Sequence, residues 1–332
     1  MQALQKKVIL PVSISTVPEL LGMEFDISFR KINAKIHFPI SSKHNDKVGI
    51  NAPLLPPAPY DTGVLKMMDK GLAGGWLQWG ANSSIENGSL SSVSVGGIIL
   101  TLDGDFETRD EARTTLNAIE SKFLEWYRVF GAWLDLLSCQ DLNTAEPDSF
   151  ISKNTMNDLW SVRVGKEWSN AGPDVIYLTT DIKSKKLMIN EAMVREAIKR
   201  ADKGDDVSTE NKLLMDARHR FNREDYNGSC LYYGQYIEVT ARRKIIDYFD
   251  SQEIGVEISN AFLENKAIYD LLDSCKKFSI DINLTNKQRG EVCKIRNLTA
   301  HARQSLTLHY AQEMETYANK VFEVSQPADL YV

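Results

Sequence analysis

The chain has 332 residues, 43% of them hydrophobic and 25% charged, with a formal net charge of −6. That composition suits a globular protein with enough apolar residues for two cores. The acidic balance argues against a surface built wholly to grip nucleic acid but allows a local basic site, and no apolar run reaches the roughly 18 residues of a membrane helix.

The first hundred residues predict β-structure. In "KKVILPVSIST", Val8, Leu10, Val12 and Ile14 alternate. The stretch is short, interrupted by Pro11 and without a small-x-small cleavage site, so it reads as a first strand rather than a signal peptide. "EFDISFRKINAKIHFPI" carries Phe25, Ile27 and Phe29 in one alternating run and Ile36, Phe38 and Ile40 in another. A turn around Lys31–Ala34 would join them as a hairpin. "NAPLLPPAPY" holds four of the ten prolines and reads as a surface loop. "GGWLQWG" presents Trp76 and Trp79 between glycines, and "SVSVGGIILTLDG" predicts a later strand with a bulge at its glycine pair.

In the next segment Ala112, Leu116, Ile119, Phe123, Trp126, Phe130, Trp133 and Leu137 recur at steps of four and three. This spacing predicts an amphipathic helix of more than thirty residues. Trp and Phe suit a two-stranded coiled-coil seam poorly, so the helix is expected to lie across the sheet with its aromatics as core. "LWSVRVGKEW" and "PDVIYLTTD" supply two further strands.

From about residue 186 glycine and proline become sparse and successive segments show helical spacing, with Asn190 and Ser208 or Thr209 as N-caps. The predicted fold class is therefore α+β, a β-rich domain with one long helix over residues 1–185 and an all-helical domain over 186–332. Tyr232, Tyr233 and Tyr236 in "LYYGQYIEVTARR" fall at helical spacing and read as core rather than as a base-stacking face.

Motifs for most cofactor chemistry are missing from the sequence. There is no phosphate-cradling G-x-x-x-x-G-K, no G-x-G-x-x-G and no H-E-x-x-H or other metal-ligand spacing. Cys139, Cys230, Cys275 and Cys293 form no C-x-x-C pair and read as buried free thiols in a reducing cytoplasm. No metal or other cofactor is expected.

What remains is "KIRNLTAHAR", which places Arg296, Asn297 and His301 within six residues. An arginine fork binds phosphate bidentately, and a histidine titrates near neutrality. Together they suffice for RNA cleavage by internal transfer. Histidine would move the proton of the ribose 2′-OH or of the leaving 5′-oxygen, and arginine would stabilise the added negative charge on phosphorus. Two other arginine–histidine pairs, Arg30 with His37 and Arg303 with His309, are set apart by strand alternation or by helical angle. Arg296 and His301 lie about 140° apart on an ideal helix, so they converge only through a helix break or a second copy of the chain. Asn297 and His301, at i and i+4, share a face. Between residues 285 and 303, Lys287, Arg289, Lys294, Arg296 and Arg303 face one acid, Glu291, and Lys294, Arg303 and Arg289 are candidate phosphate contacts.

The segment "IRNLTAH", with apolar Ile295 before the arginine and an amphipathic helix after the histidine, resembles the signature of the HEPN superfamily (higher eukaryotes and prokaryotes nucleotide-binding domain). "MDARHRFNREDYNGSCLYYGQYIEVTARRKI" is similar to the opening helix pair of that family, with Glu238 as its buried acid. The resemblance spans about 206–325. A β-rich domain ahead of it is similar to the arrangement in Apea-like abortive-infection proteins. The resemblance implies a cytoplasmic, metal-independent endoribonuclease with Arg296 and His301 as catalytic residues and Asn297 in support. It implies a homodimer with a composite site acting on RNA, in anti-phage abortive infection or a toxin–antitoxin pair, with an antitoxin or phage-derived trigger as further partner. The alternative it leaves is a catalytically inactive dimerisation or nucleotide-binding module whose function rests in the N-terminal domain.

Overall fold

The computed structural model describes residues 4–44, 47–51, 80–86, 89–102, 109–140, 142, 162–164, 167–169, 187–300 and 306–324. The protein is mixed α+β. It forms two compact units, Met1–Thr180 with Lys186–Asp206 and Asp181–Lys185 with Val207–Val332.

The first unit is built on an antiparallel sheet. Its strands are β1 (Leu4–Thr16), β2 (Glu24–Phe29), β3 (Ile32–His37), β6 (Gly80–Glu86), β7 (Ser89–Leu102), β8 (Val162–Val164) and β9 (Glu167–Ser169). They run in the order β2-β3-β7-β1-β8-β9, with β6 also paired to β7. A separate pair, β4 (Ile40–His44) and β5 (Lys47–Asn51), makes a small second sheet. The β7 strand is central because Val93, Val95, Ile98, Ile99, Leu100 and Leu102 are all buried. Its register with β1 breaks between Ile9 and Ile14, opposite Gly97 and Val95. Pro11 falls in this irregular stretch, where a missing amide interrupts no ladder.

The β2–β3 hairpin pairs Phe25 with Ile36, Ile27 with Ala34 and Phe29 with Ile32. Its turn is Arg30–Lys31, both at positive φ (49° and 69°), and not the expected Lys31–Ala34. A two-residue turn of this hand favours Asn and Gly, so an Arg-Lys pair gave no signal of it. The second strand also ends at His37; beyond it the Phe38 amide donates to the Met23 carbonyl (2.9 Å) and the Pro39 carbonyl accepts from the Gly22 amide (2.8 Å) before Ile40 opens β4.

Helix α1 (Arg109–Ser138) buries Ile119, Phe123, Trp126, Phe130, Trp133 and Leu137, as expected for core. Phe123 meets Phe29 of the sheet edge-on at 5.7 Å. The indole N–H groups of Trp126 and Trp133 donate to Asp202 Oδ1 (2.8 Å) and to the Asp205 carbonyl (2.7 Å). These partners follow or end α2 (Glu191–Lys203), capped by Asn190, whose Oδ1 accepts from the Met193 amide at 2.9 Å. Because α2 packs on α1 and β2, it groups with the first compact unit, and the helices from Val207 onward form the second.

Two residues beyond α1, buried Gln140 fastens the unit. Its Oε1 accepts from the Ser15 amide (2.7 Å), and its Nε2 donates to the carbonyls of Ser15 (2.6 Å) and Leu187 (2.7 Å). A side-chain amide here satisfies main-chain groups that a neighbouring strand would otherwise pair. "PDVIYLTTD", "NAPLLPPAPY" beyond Asn51 and the Trp76–Trp79 stretch lie outside the described residues.

The second unit is helical. It comprises α3 (Thr209–Asn222), α4 (Tyr226–Ser251), α5 (Val256–Leu263), α6 (Ile268–Lys277), α7 (Asn286–Ala300) and α8 (Leu308–Glu323). Ser208, not Thr209, caps α3 through the Asn211 amide at 3.3 Å. Helix α4 is the hub and packs against each of the other five. That central position explains the full burial of Tyr233 and Tyr236, the core role expected of them, while Tyr232 is half-buried under the Arg220 guanidinium at 4.6 Å.

Candidate functional site

Helix α7 carries the arginine motif, and its own sequence sets its start. Thr285 and Gln288 exchange side-chain bonds with each other's backbone amides, Gln288 N–H to Thr285 Oγ1 at 3.3 Å and Thr285 N–H to Gln288 Oε1 at 2.9 Å. This is a capping box, which fixes where the helix begins. Buried Val292 and Ile295 then anchor α7 to the unit's core. The helix is continuous from Asn286 to Ala300, so no break falls between Arg296 and Ala300. Leu306, before α8, is tied back to the start of α4 by its amide, which donates to Asn227 Oδ1 at 2.7 Å.

Arg296 lies against α4. Its Nη2 donates to Glu238 Oε2 at 3.3 Å, and the two side chains are 30% and 19% exposed. The other Glu238 oxygen accepts from Arg242 Nη2 at 3.4 Å. Arg242 also donates to the carbonyls of Leu263 (2.9 Å) and Lys266 (2.5 Å), which end α5 and precede α6. One carboxylate therefore sits between two guanidinium groups, and one of those is fixed to main chain. Arg296 Nε is buried without a hydrogen-bond partner among the described residues, so Glu238 is the polar group that orients the fork. Among the described residues the remaining Nη hydrogens have no bonded partner and can meet an anion.

The other predicted residues divide. Asn297 follows Arg296 and is exposed. Lys294 is exposed and pairs with Glu291 at 3.2 Å, which holds its ammonium above the ordinary lysine range. Arg289 is turned to the main chain. It donates to the carbonyls of Leu284 and Leu272, both at 3.1 Å, and so joins the start of α7 to α6. His301 and Arg303 lie outside the described residues. Cys293, one turn before Arg296, is buried, and that burial raises its thiol against the lowering effect of the nearby guanidinium.

The sequence reading missed Gly234 and Arg242. Gly234 is a glycine inside an otherwise regular helical run. Arg242 stands four residues after Glu238, the i, i+4 spacing of a helical ion pair. Among the described residues no group of three or more His, Cys, Asp or Glu side chains is placed to hold a metal ion. Nor is any described helix long and apolar enough to cross a membrane. Comparison of the chain with protein-family models, with curated proteins and with solved structures found no match.

Proposed function

We propose that the helical unit is a HEPN-type endoribonuclease that cleaves RNA without a metal, acting as a cytoplasmic homodimer in abortive infection or a toxin–antitoxin pair. The observation that carries this reading is Arg296 itself. It is a partly buried guanidinium oriented by Glu238 on the central helix, with Asn297 exposed beside it and His301 five residues on in the sequence. With α7 unbroken to Ala300, a composite site from two chains is the simplest way to bring Arg296 of one copy to His301 of the other. In the reaction, the ribose 2′-oxygen bonds to phosphorus as the bond from phosphorus to the 5′-oxygen breaks. His301 takes the 2′-OH proton, and a histidine returns one to the leaving 5′-oxygen. Arg296 stabilises the phosphorane-like charge, and Asn297 supports His301 or a phosphate oxygen.

The test is RNA cleavage by the purified protein in EDTA. The expected products carry 2′,3′-cyclic phosphate and 5′-OH ends. Arg296→Ala and His301→Ala should each lower the rate by about 100-fold or more, the scale on which transition-state donors and acid–base groups act. Cleavage surviving both substitutions would remove the site, and an absolute metal requirement would remove the mechanism.

One observation favours a second reading. The Arg296 fork already has a carboxylate partner and a buried Nε, as a purely structural tie between α4 and α7 would have. A silent dimerisation or nucleotide-binding module predicts no RNA cleavage by the wild type, with Arg296→Ala altering stability alone.

A further inference from the structure

We propose that Gly234 is a positioning residue for Arg296, its missing side chain being the space in which the arginine stem lies; this rests on the reading of Arg296 as a catalytic group. Gly234 is buried in the interior of α4, where glycine is less favourable for a helix than alanine. A compensating contact is visible at that spot. A Cβ built on Gly234 would stand 2.8 Å from Arg296 Cγ and 3.3 Å from its Cβ, with Met314 Cε at 3.6 Å. The Met314 distance is an ordinary contact. The arginine distances are not, and they involve the inner stem, which cannot swing aside as the tip of a long side chain can. Space at Gly234 and the carboxylate of Glu238, one helical turn further on, fix Arg296 at its stem and at its fork. A residue larger than glycine must push the stem, and the guanidinium with it, by about 1 Å to restore contact distance. A misplacement of that size costs a reaction on the order of 100-fold.

Gly290, on α7 itself, is the built-in control, since a Cβ there meets nothing within 4 Å. The experiment uses the full chain and measures kcat and KM for RNA cleavage in EDTA, with melting temperatures, for wild type, Gly234→Ala, Gly290→Ala, Arg296→Ala and the Gly234→Ala/Arg296→Ala double variant. Gly234→Ala should lose about 100-fold in kcat with KM changed less than about twofold, because phosphate binding tolerates a shift that the transition state does not. Gly290→Ala should keep wild-type kcat. The melting temperature lost in Gly234→Ala should be regained in the double variant, where the Cγ that meets the new methyl is gone. If Gly234→Ala is insoluble, recovery of soluble protein in the double variant carries the same meaning. Wild-type kcat in Gly234→Ala, or a double variant no more stable than the sum of the single changes, overturns the proposal. A wild type that cleaves no RNA overturns the underlying catalytic reading, and the stability comparison still tests the contact.

Discussion

Replacing Glu238 by glutamine should loosen the helical unit by a measurable and assignable amount. The substitution keeps size and shape but turns an amide toward two guanidinium groups. One of them then loses its acceptor, and the charge between two cations is gone. Arg242 still has the carbonyls of Leu263 and Lys266, so the loss concentrates on Arg296. Contacts of 3.3 and 3.4 Å are long, and side chains 19–31% exposed are partly screened. The effect therefore falls between an exposed pair and a buried one, at about 2 kcal/mol. For a helical unit of this size that corresponds to roughly 6–10 °C in melting temperature. Far-UV circular dichroism during heating and urea titration gives the number. Arg296→Met in the same background tells whose loss it is. Once the arginine is gone, Glu238→Gln should cost about 1 kcal/mol less than it does alone. Costs additive to within about 0.3 kcal/mol would show that Arg296 and Glu238 are not coupled and would refute the orienting role given to the carboxylate.

Other outcomes follow from the same structure. Burial pushes the thiols of Cys230 and Cys275 up to about 12 and about 11. Neither should react with iodoacetamide at pH 8 until the protein is unfolded, which peptide mass mapping will show. Asn190→Ala should destabilise the first unit by about 1 kcal/mol through the lost cap on α2, and Asn190→Asp should restore most of it, as read by chemical denaturation. Burial tends to raise the carboxyls of Glu210 and Asp225, but hydrogen bonds outweigh it and leave both low; those to Glu210 come from its own amide, Ser208 and Arg243, those to Asp225 from the Gly228 amide and Arg220. Their stabilising effect is present above the unfolded values of 4.5 and 3.8 and is lost as pH falls through the lower folded values. The melting temperature of the helical unit should therefore drop steeply below about pH 4.5, and a flat profile down to pH 3 would contradict these ion pairs.

Periodicity carried much of the fold. Alternation in Phe25, Ile27 and Phe29 and the four-three spacing of the α1 aromatics both mark faces that are buried in the structure. Allegiance between elements was harder to read. The spacing of Met193, Val194, Ala197, Ile198 and Ala201 predicts an apolar stripe on α2, yet says nothing about which core receives it. Gln140 was invisible for a related reason. A lone polar residue after a helix looks solvated unless the main-chain groups it serves, over a hundred residues away at Ser15, are in view. At the candidate site the arginine was legible from its motif and Glu238 from a family resemblance. The roles of Gly234 and Arg242 depend on contacts between helices that are separated in sequence.

The position of β1 has a consequence for how the chain is made. Its ladder partners lie at residues 93–102 and 162–163, and its far end is closed by Gln140 and by residues 187–189. At about 5–20 residues per second, translation leaves the first strand waiting roughly 10–40 s before its last partner is synthesised. Unpaired strand edges are open to association with other nascent chains through that interval. The helical unit closes more of its packing locally, since its hub α4 packs most extensively on α3, the helix just before it. The β-rich half is thus expected to complete its fold later than the helical half, although it begins to emerge first.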